Sequence, residues 1–383
     1  MRIWQVTAEP FGPLAAGQTL EFGQGLTVVV GPNESGKSVW HAAIYAALCG
    51  RPAALDERTR AFARLFRDDT GPWVCSAVVE HQGQMVPVRQ DLLRPGQSNA
   101  RALNGQTTLN GCLRHAGGLD LTRCHGLDAA SYAATAWVAQ NTLRSDRAQV
   151  HLQRAVAYAV GNGNALNALR LIGQFGWEHI GPDDPASMRP LGRALNHLRR
   201  LRDDPDARPE QVAQTEQTVR ELRALRNTVD HTYGFLESAR RKAMGELTGA
   251  VTDMLDRWLP ALTDGLYTRT RIDEQELTVT IDGPRGWEPS GVWSASVAEQ
   301  VLLLQRIALI RYLCPRLGGL PLVLDEVSVN SDAARTSRLL DLLLELGGEC
   351  QVILFSQEEN VRGWARARPS EPDLALRELA PVR

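Results

Sequence analysis

Apolar positions along the chain change period several times, and each change predicts an element. From Leu26 to Val30 they form an unbroken, largely β-branched run, LTVVV, which predicts a buried strand. The run stops at Gly31. After Ser38 the residues Val39, Ala43, Ile44, Ala47 and Leu48 recur at helical spacing until Gly50 ends the segment. Further on, WVCSAVVEHQGQMVPVRQDLL predicts two strands around a turn at His81 to Gly83, with alternating Val78, Met85, Val86 and Val88.

From Arg144 to about Pro260 strand signals vanish and Arg, Glu, Leu and Ala dominate. Leu191, Leu195 and Leu198 share one helical face ahead of RDDPDARP (202 to 209), whose Pro and Asp residues predict a turn. Beyond it Val212, Val219, Leu222, Val229, Tyr233 and Leu236 recur at threes, fours and sevens, an imperfect coiled-coil seam. A helix from about 210 to 258 would be roughly 70 Å long at the usual rise per residue. The stretch GNGNALNALRLIGQFGWEHIGPDDPASM (161 to 188) carries too many Gly and Pro residues for coiled coil and predicts a separate elaboration. The last third returns to strands. LYTRTRIDEQELTVTIDG predicts a hairpin, Tyr267 to Ile272 with Leu277 to Ile281, before the helical stretch VWSASVAEQVLLLQRIALIRYL. Leu320 to Leu324 and Val352 to Phe355 are two further buried strands.

Composition alters this picture little. Lys+Arg 42 against Asp+Glu 44 gives a net charge of -2, so any nucleic-acid surface has to be a local patch. Arg199, Arg200 and Arg202, then Arg220, Arg223 and Arg226, then Arg240, Arg241 and Lys242 could line such a patch, although charge runs on helices are more often solvated faces. The 6 cysteines are scattered without a CxxC pair, which suits reduced thiols and a cytoplasmic, soluble chain. No signal-like or membrane-spanning stretch stands out, and no membrane partner is expected. Cys112, His115, Cys124 and His125 could bind zinc, but their spacing fits no standard site.

The strongest chemical signal is GPNESGKS (31 to 38), which holds Lys37, one of only two lysines in 383 residues. It satisfies G-x-x-x-x-G-K-[ST] between a strand and a helix, the context the motif requires. The loop amides from Asn33 to Ser38 and the helix N-terminus make a cradle for phosphates. Lys37 is suited to reach the β- and γ-phosphates, and Ser38 to ligate Mg²⁺. Arginine's broad planar fork would fit poorly where a compact ammonium has to sit within a ring of amides.

With its flank, FGPLAAGQTLEFGQGLTVVVGPNESGKS resembles the N-terminal edge of the SMC/RecF/RecN group of ABC-type ATPases, especially SbcC-like and YhaN-like members. The resemblance implies an α/β P-loop head, a mixed sheet with an antiparallel side sheet, interrupted by an α-helical hairpin. The expected division is 1–145 and 262–383 for the two halves of the head and 146–261 for the arm. Gly31, Asn33, Glu34, Ser35, Gly36, Lys37 and Ser38 would hold ATP with Mg²⁺. Gln140 resembles the family's Q-loop glutamine, which meets Mg²⁺ and the attacking water. In SASVAEQ, Ser294 falls at the signature serine, which donates to ATP on the other subunit, while Ser296 stands where glycine is usual and Val297 where threonine is. LPLVLDE is similar to a Walker B motif, with Asp325 supporting the metal and Glu326 as catalytic base. VNSDAAR resembles the D-loop, which puts Asn330 and Asp332 at the dimer interface. Gln357 or Glu358 occupies the switch position where the family usually has His. Together with Val39, where a second hydroxyl is common, these departures imply slow hydrolysis.

The resemblance further implies an ATP-sandwiched homodimer or larger oligomer. Its action would be on DNA or through a partner nuclease or effector, in DNA repair or anti-phage defence. The alternative is an ATP-gated scaffold that holds a protein effector without touching DNA. A small-molecule kinase or GTPase shares the P-loop only; the lack of an N/T-K-x-D-like motif and the distant Glu326 argue against both.

Overall fold

The structure is a computed structural model and describes residues 1–381 apart from 10, 52–72, 102–113, 116–117, 126, 139–149, 151, 154–155, 157–161, 285, 290–291 and 318; of 114–115, 162–164 and 314–317 the backbone alone is described. Two compact units emerge, Met1–Ala159 with Leu247–Arg383, and Val160–Glu246.

The first unit is built around a five-stranded sheet in the order β15-β3-β14-β13-β9. Its members are β3 (Leu26–Val30), β9 (Trp137–Val138), β13 (Leu322–Asp325), β14 (Val352–Ser356) and β15 (Leu374–Glu378). Every neighbouring pair is parallel. The apolar runs are continuous because both faces are covered: β3 and β14 are buried at every position. Helices α1 (Lys37–Cys49), α7 (Ala333–Gly347) and α8 (Glu359–Arg366) pack against these strands. α2 (Ala129–Thr135) packs against α6 (Ala295–Leu317).

A second five-stranded sheet, β2-β1-β4-β5-β6, is antiparallel throughout. It consists of β1 (Arg2–Ala8), β2 (Thr19–Glu21), β4 (Val74–His81), β5 (Gln84–Asp91) and β6 (Asn99–Ala100). Gln82 and Gly83 both have positive φ, as a two-residue hairpin turn requires. Cys75, Ala77 and Val79 are buried here together with Val86 and Val88. Val78 and Met85 belong to the more open face, Met85 being 36% exposed. The Gln351 side chain helps join the two sheets: it accepts from Ile3 N at 2.8 Å and donates to Ile3 O at 2.7 Å and Gly23 O at 2.8 Å.

The expected hairpin after residue 266 is a three-stranded sheet, β10 (Thr270–Ile272), β11 (Val279–Gly283) and β12 (Gly286–Pro289). The third strand, GWEP, has no apolar alternation to announce it. A minor pair, β7 (Arg114–His115) with β8 (Gly118–Leu119), completes the strands described. Among the described residues no helix is long and apolar enough to cross a membrane.

In the second unit α3 (Asn162–Phe175) runs into a π-turn, Gly176–Ile180, and is followed by α4 (Pro190–Asp203); α5 (Pro209–Leu262) begins here and has 54 residues. Ile180, Leu191, Leu198 and Val219 form its buried cluster, flanked by Leu195, Val212, Leu222 and Val229, much of the predicted seam. Tyr233 is 42% exposed. The Gly-rich stretch expected to be a separate elaboration is helical over 162–180. One of its glycines marks close approach: a Cβ on Gly176 would stand 3.1 Å from Val229 Cγ1.

Candidate functional site

Three strands of the parallel sheet, β3, β14 and β13, lie side by side and end at the same edge. That edge is where open α/β sheets bind ligands. From β3 the chain turns through residues 31–36, with Glu34 at φ 63 and Gly36 at φ 82, into α1. Alternating left- and right-handed backbone turns successive N–H groups to one side, and the first turn of α1 leaves further amides without helical partners. Close approach requires glycine at position 31, because a Cβ there would collide with the Ser35 hydroxyl and crowd Leu379.

Lys37 is buried, and its Nζ donates to Gly31 O at 2.9 Å and Pro32 O at 3.0 Å. It also stands 3.7 Å from Glu326 Oε1. Ser38 Oγ donates to Asp325 Oδ2 at 3.1 Å, a contact between residues 287 positions apart. The structure thus brings Lys37, Ser38, Asp325 and Glu326 together. Gln357 joins them through its main chain only: its N–H donates to Glu326 Oε2 at 3.2 Å while the residue itself is exposed. Glu358, the other candidate for the switch position, accepts from Ser328 Oγ at 3.0 Å.

Burial governs the electrostatics. Asp325 is 3% exposed, and desolvation pushes its carboxyl up to about 6 against the opposing pull of the Ser38 hydroxyl and the Lys37 ammonium. Glu326 is raised for the same reason; the Gln357 amide and Lys37 act against the rise, and Asp325 and Glu358 add to it. Glu326 has φ 53, a left-handed conformation that costs a non-glycine residue on the order of 1 kcal/mol or more. Its N–H donates to Phe355 O at 3.0 Å, which ties the residue to β14.

Two buried polar atoms in this region, Ser35 Oγ and Asp325 Oδ1, have no hydrogen-bond partner among the described residues. A hydroxyl in a ring of amides and a free carboxylate oxygen beside a serine fit a phosphate chain and its Mg²⁺, an ion that keeps most of its shell as water and phosphate oxygen. Asn33 and Glu34 are exposed on the rim of the loop. Beneath it His41 stacks on Trp137 with centroids 4.3 Å apart, and Trp137 Nε1 donates to His41 O at 3.3 Å, which fixes α1 against β9. Burial lowers His41 to about 3, so it is neutral. Gln140 lies outside the described residues.

Ser294, Ser296, Asn330 and Asp332 form a different group. Ser294 is exposed, and its Oγ accepts from Val297 N at 3.3 Å at the start of α6. Asp332 caps α7 by accepting from Arg335 N at 2.9 Å. Asn330 Nδ2 donates to Glu299 Oε2 at 2.6 Å, and Gln300 Nε2 donates to Ser331 Oγ at 3.0 Å. Among the described residues no hydrogen bond or ion pair joins this group to the P-loop.

Two sequence expectations outside the site change. The basic stripe is largely paired: Arg202 to Glu216 at 2.7 Å, Arg223 to Asp183 at 2.9 Å, Arg226 to Asp230 at 3.3 Å and Arg240 to Glu237 at 3.1 Å. Among the described residues no group of three or more His, Cys, Asp or Glu side chains gathers to hold a metal ion; Cys112 and the His115 side chain lie outside them. Sequence reasoning missed Ser328, whose only signal is its place two residues after Glu326, and named Glu358 only as an alternative to Gln357 at the switch position.

A family model described as an AAA domain matches residues 5–90. No curated protein matches the chain. Among solved structures, an SMC head domain with an extended coiled coil, bound to the C-terminal domain of ScpA and derived from Pyrococcus furiosus, matches with TM-score 0.58 and 15% identity over 94% of this chain and 91% of that one. An SmcHead bound to the C-winged helix domain of ScpA matches with TM-score 0.51 and 15% identity over 95% and 92%. With the P-loop cradle facing the Asp325–Glu326 pair at one sheet edge, the chain has the fold of an SMC head domain.

Proposed function

We propose that this chain binds ATP with Mg²⁺, hydrolyses it slowly, and uses the bound state to close a head-to-head dimer that acts on DNA or gates a partner nuclease or effector in DNA repair or anti-phage defence. The observation that carries the reading is the Ser38–Asp325 hydrogen bond at 3.1 Å, which couples the P-loop to the end of β13 and leaves Asp325 Oδ1 free. Gly31, Asn33, Glu34, Ser35, Gly36 and Lys37 would hold the phosphates; Ser38 and Asp325, with Gln140, would hold the metal. Bound Mg²⁺ supplies charge neutralisation and orientation of the phosphates. Glu326 takes the proton of the attacking water, and the Gln357 amide and Lys37 hold its carboxylate in place. The group Ser294, Ser296, Asn330 and Asp332, exposed at all but the half-buried Ser296, would meet the nucleotide held by the second head. A serine in place of glycine at 296 adds a side chain at the closest approach, which favours switching over turnover.

The SMC heads of similar fold are seen bound to parts of ScpA, and a partner subunit docked on the head is the corresponding expectation here. A second reading, an ATP-gated scaffold that holds a protein effector without DNA contact, is favoured by the ion pairing of the arm's arginines. Turnover of the purified complex measured with and without duplex DNA separates the two. Stimulation by DNA supports the first reading; indifference to DNA in every complex supports the second.

A further inference from the structure

We propose that Ser328 and Glu358 are positioning residues: their mutual hydrogen bond fixes the segment after β14 so that the Gln357 main-chain N–H stays on the carboxylate of Glu326. The role rests on the hydrolytic reading of Glu326 given above.

Glu326 has two neighbours competing for its carboxylate. Lys37 stands 3.7 Å from Oε1, and the Gln357 amide donates to Oε2 at 3.2 Å. With the ammonium drawn toward phosphate in a loaded site, the amide becomes the group that sets the direction of the carboxylate. Nothing in the Gln357 side chain holds that amide in place, because the residue is exposed and its side chain makes no hydrogen bond among the described residues. The hold comes from the next residue. Glu358 N donates to Ser356 Oγ at 3.1 Å, and Glu358 Oε1 accepts from Ser328 Oγ at 3.0 Å.

Ser328 is 1% exposed, so its hydroxyl has little access to water and depends on this acceptor. Its carbonyl accepts from Ser331 N at 2.8 Å and so closes the turn that presents Asn330. Glu326, Val327, Ser328, Glu358 and Gln357 therefore form a ring of covalent and hydrogen bonds. A second observation points the same way. Glu358 is the N-cap of α8, and its side chain makes no capping hydrogen bond, which leaves the carboxylate available to Ser328. Its carboxylate is turned to Ser328 instead, in an arrangement whose hydroxyl-to-carboxylate bond is charge-assisted. The chain thus meets the absence of a switch histidine by fixing a backbone amide.

ATP turnover of the full-length protein tests the assignment. Ser328→Ala and Glu358→Ala are each expected to lower kcat roughly tenfold, as loss of a hydrogen bond to a charged group implies, with KM for ATP within about twofold of the parent. Glu358→Gln, whose amide oxygen still accepts from Ser328, restores most of the rate. The double variant is no slower than either single variant, because both break one ring. Thermal midpoints close to the parent's confirm that the variants fold. A rise in KM at unchanged kcat, additive losses, or a Glu358→Gln protein as inactive as Glu326→Gln would overturn the assignment. A parent chain without ATP turnover would overturn the hydrolytic reading and this role with it, whereas normal turnover in Ser328→Ala would overturn this role alone.

Discussion

The P-loop pocket and the exposed edge that carries Ser294, Asn330 and Asp332 are built on opposite principles. In the pocket, side chains reach across hundreds of residues: Lys37 to Glu326, Ser38 to Asp325. Two polar atoms there, Ser35 Oγ and Asp325 Oδ1, have no partner among the described residues. At the edge each polar side chain is spent close by. Ser294 and Asp332 cap the helices they precede, and Asn330 reaches Glu299 on α6. Buried polar atoms are ordinarily satisfied, so an orphaned pair in a cradle marks a place built for a ligand, whereas capped residues on an open edge are compatible with a surface that waits for another molecule. The difference teaches that one region can hold phosphate alone and the other can contribute only from outside.

The largest effect expected from breaking this contrast comes at its centre. Lys37→Ala should weaken ATP binding by on the order of a hundredfold or more, about 3 kcal/mol, as read by titration calorimetry. Glu326→Gln should leave binding intact, lower turnover by roughly two to three orders of magnitude and accumulate an ATP-bound dimer in light-scattering chromatography. Ser294→Arg sharpens the other side: the separated head still binds ATP, but the ATP-dependent dimer is lost.

A pH experiment probes the pocket alone. Asp325 is raised to about 6 by burial, above its value in an unfolded chain, so its ionisation costs stability as pH rises from about 4 to 6. At the pKa conversion that cost approaches about 3 kcal/mol in the metal-free protein. Mg²⁺ binds the ionised form, so the increase in Tm that Mg²⁺ and ATP produce should be small below pH 5 and grow through pH ~6. Comparing the protein with and without Mg²⁺ at each pH cancels the opposite contribution of His41. That residue is lowered to about 3, so it destabilises the fold as pH falls below its usual range toward 3. The smallest effect belongs to the arm. Leu198→Ala, in the cluster with Ile180, Leu191 and Val219, should cost about 2 kcal/mol or more and leave ATP affinity unchanged.

Much of the pocket was legible because its signals are local and chemical. The P-loop announces itself by glycines at required conformations, and the Asp325–Glu326 pair by its place after an apolar run. The parallel core was legible from continuous burial in Leu26–Val30 and Val352–Ser356. What escaped depends on contacts that no local pattern encodes. Gly176 reads as a breaker, yet its lack of a side chain admits Val229. The left-handed Glu326 and the amide that holds it are backbone features, invisible in side-chain identity.

Mixing two defective variants tests most directly the claim that each pocket is completed by another chain's Ser294. In a head-to-tail pair of Lys37→Ala with Ser294→Arg, one site combines both lesions and the other has an intact P-loop facing an intact Ser294. ATP turnover and ATP-dependent dimerisation should be absent from each variant alone and reappear in the mixture. A mixture no more active than its components, or a Ser294→Arg protein that dimerises and turns over ATP like the parent, would contradict the account.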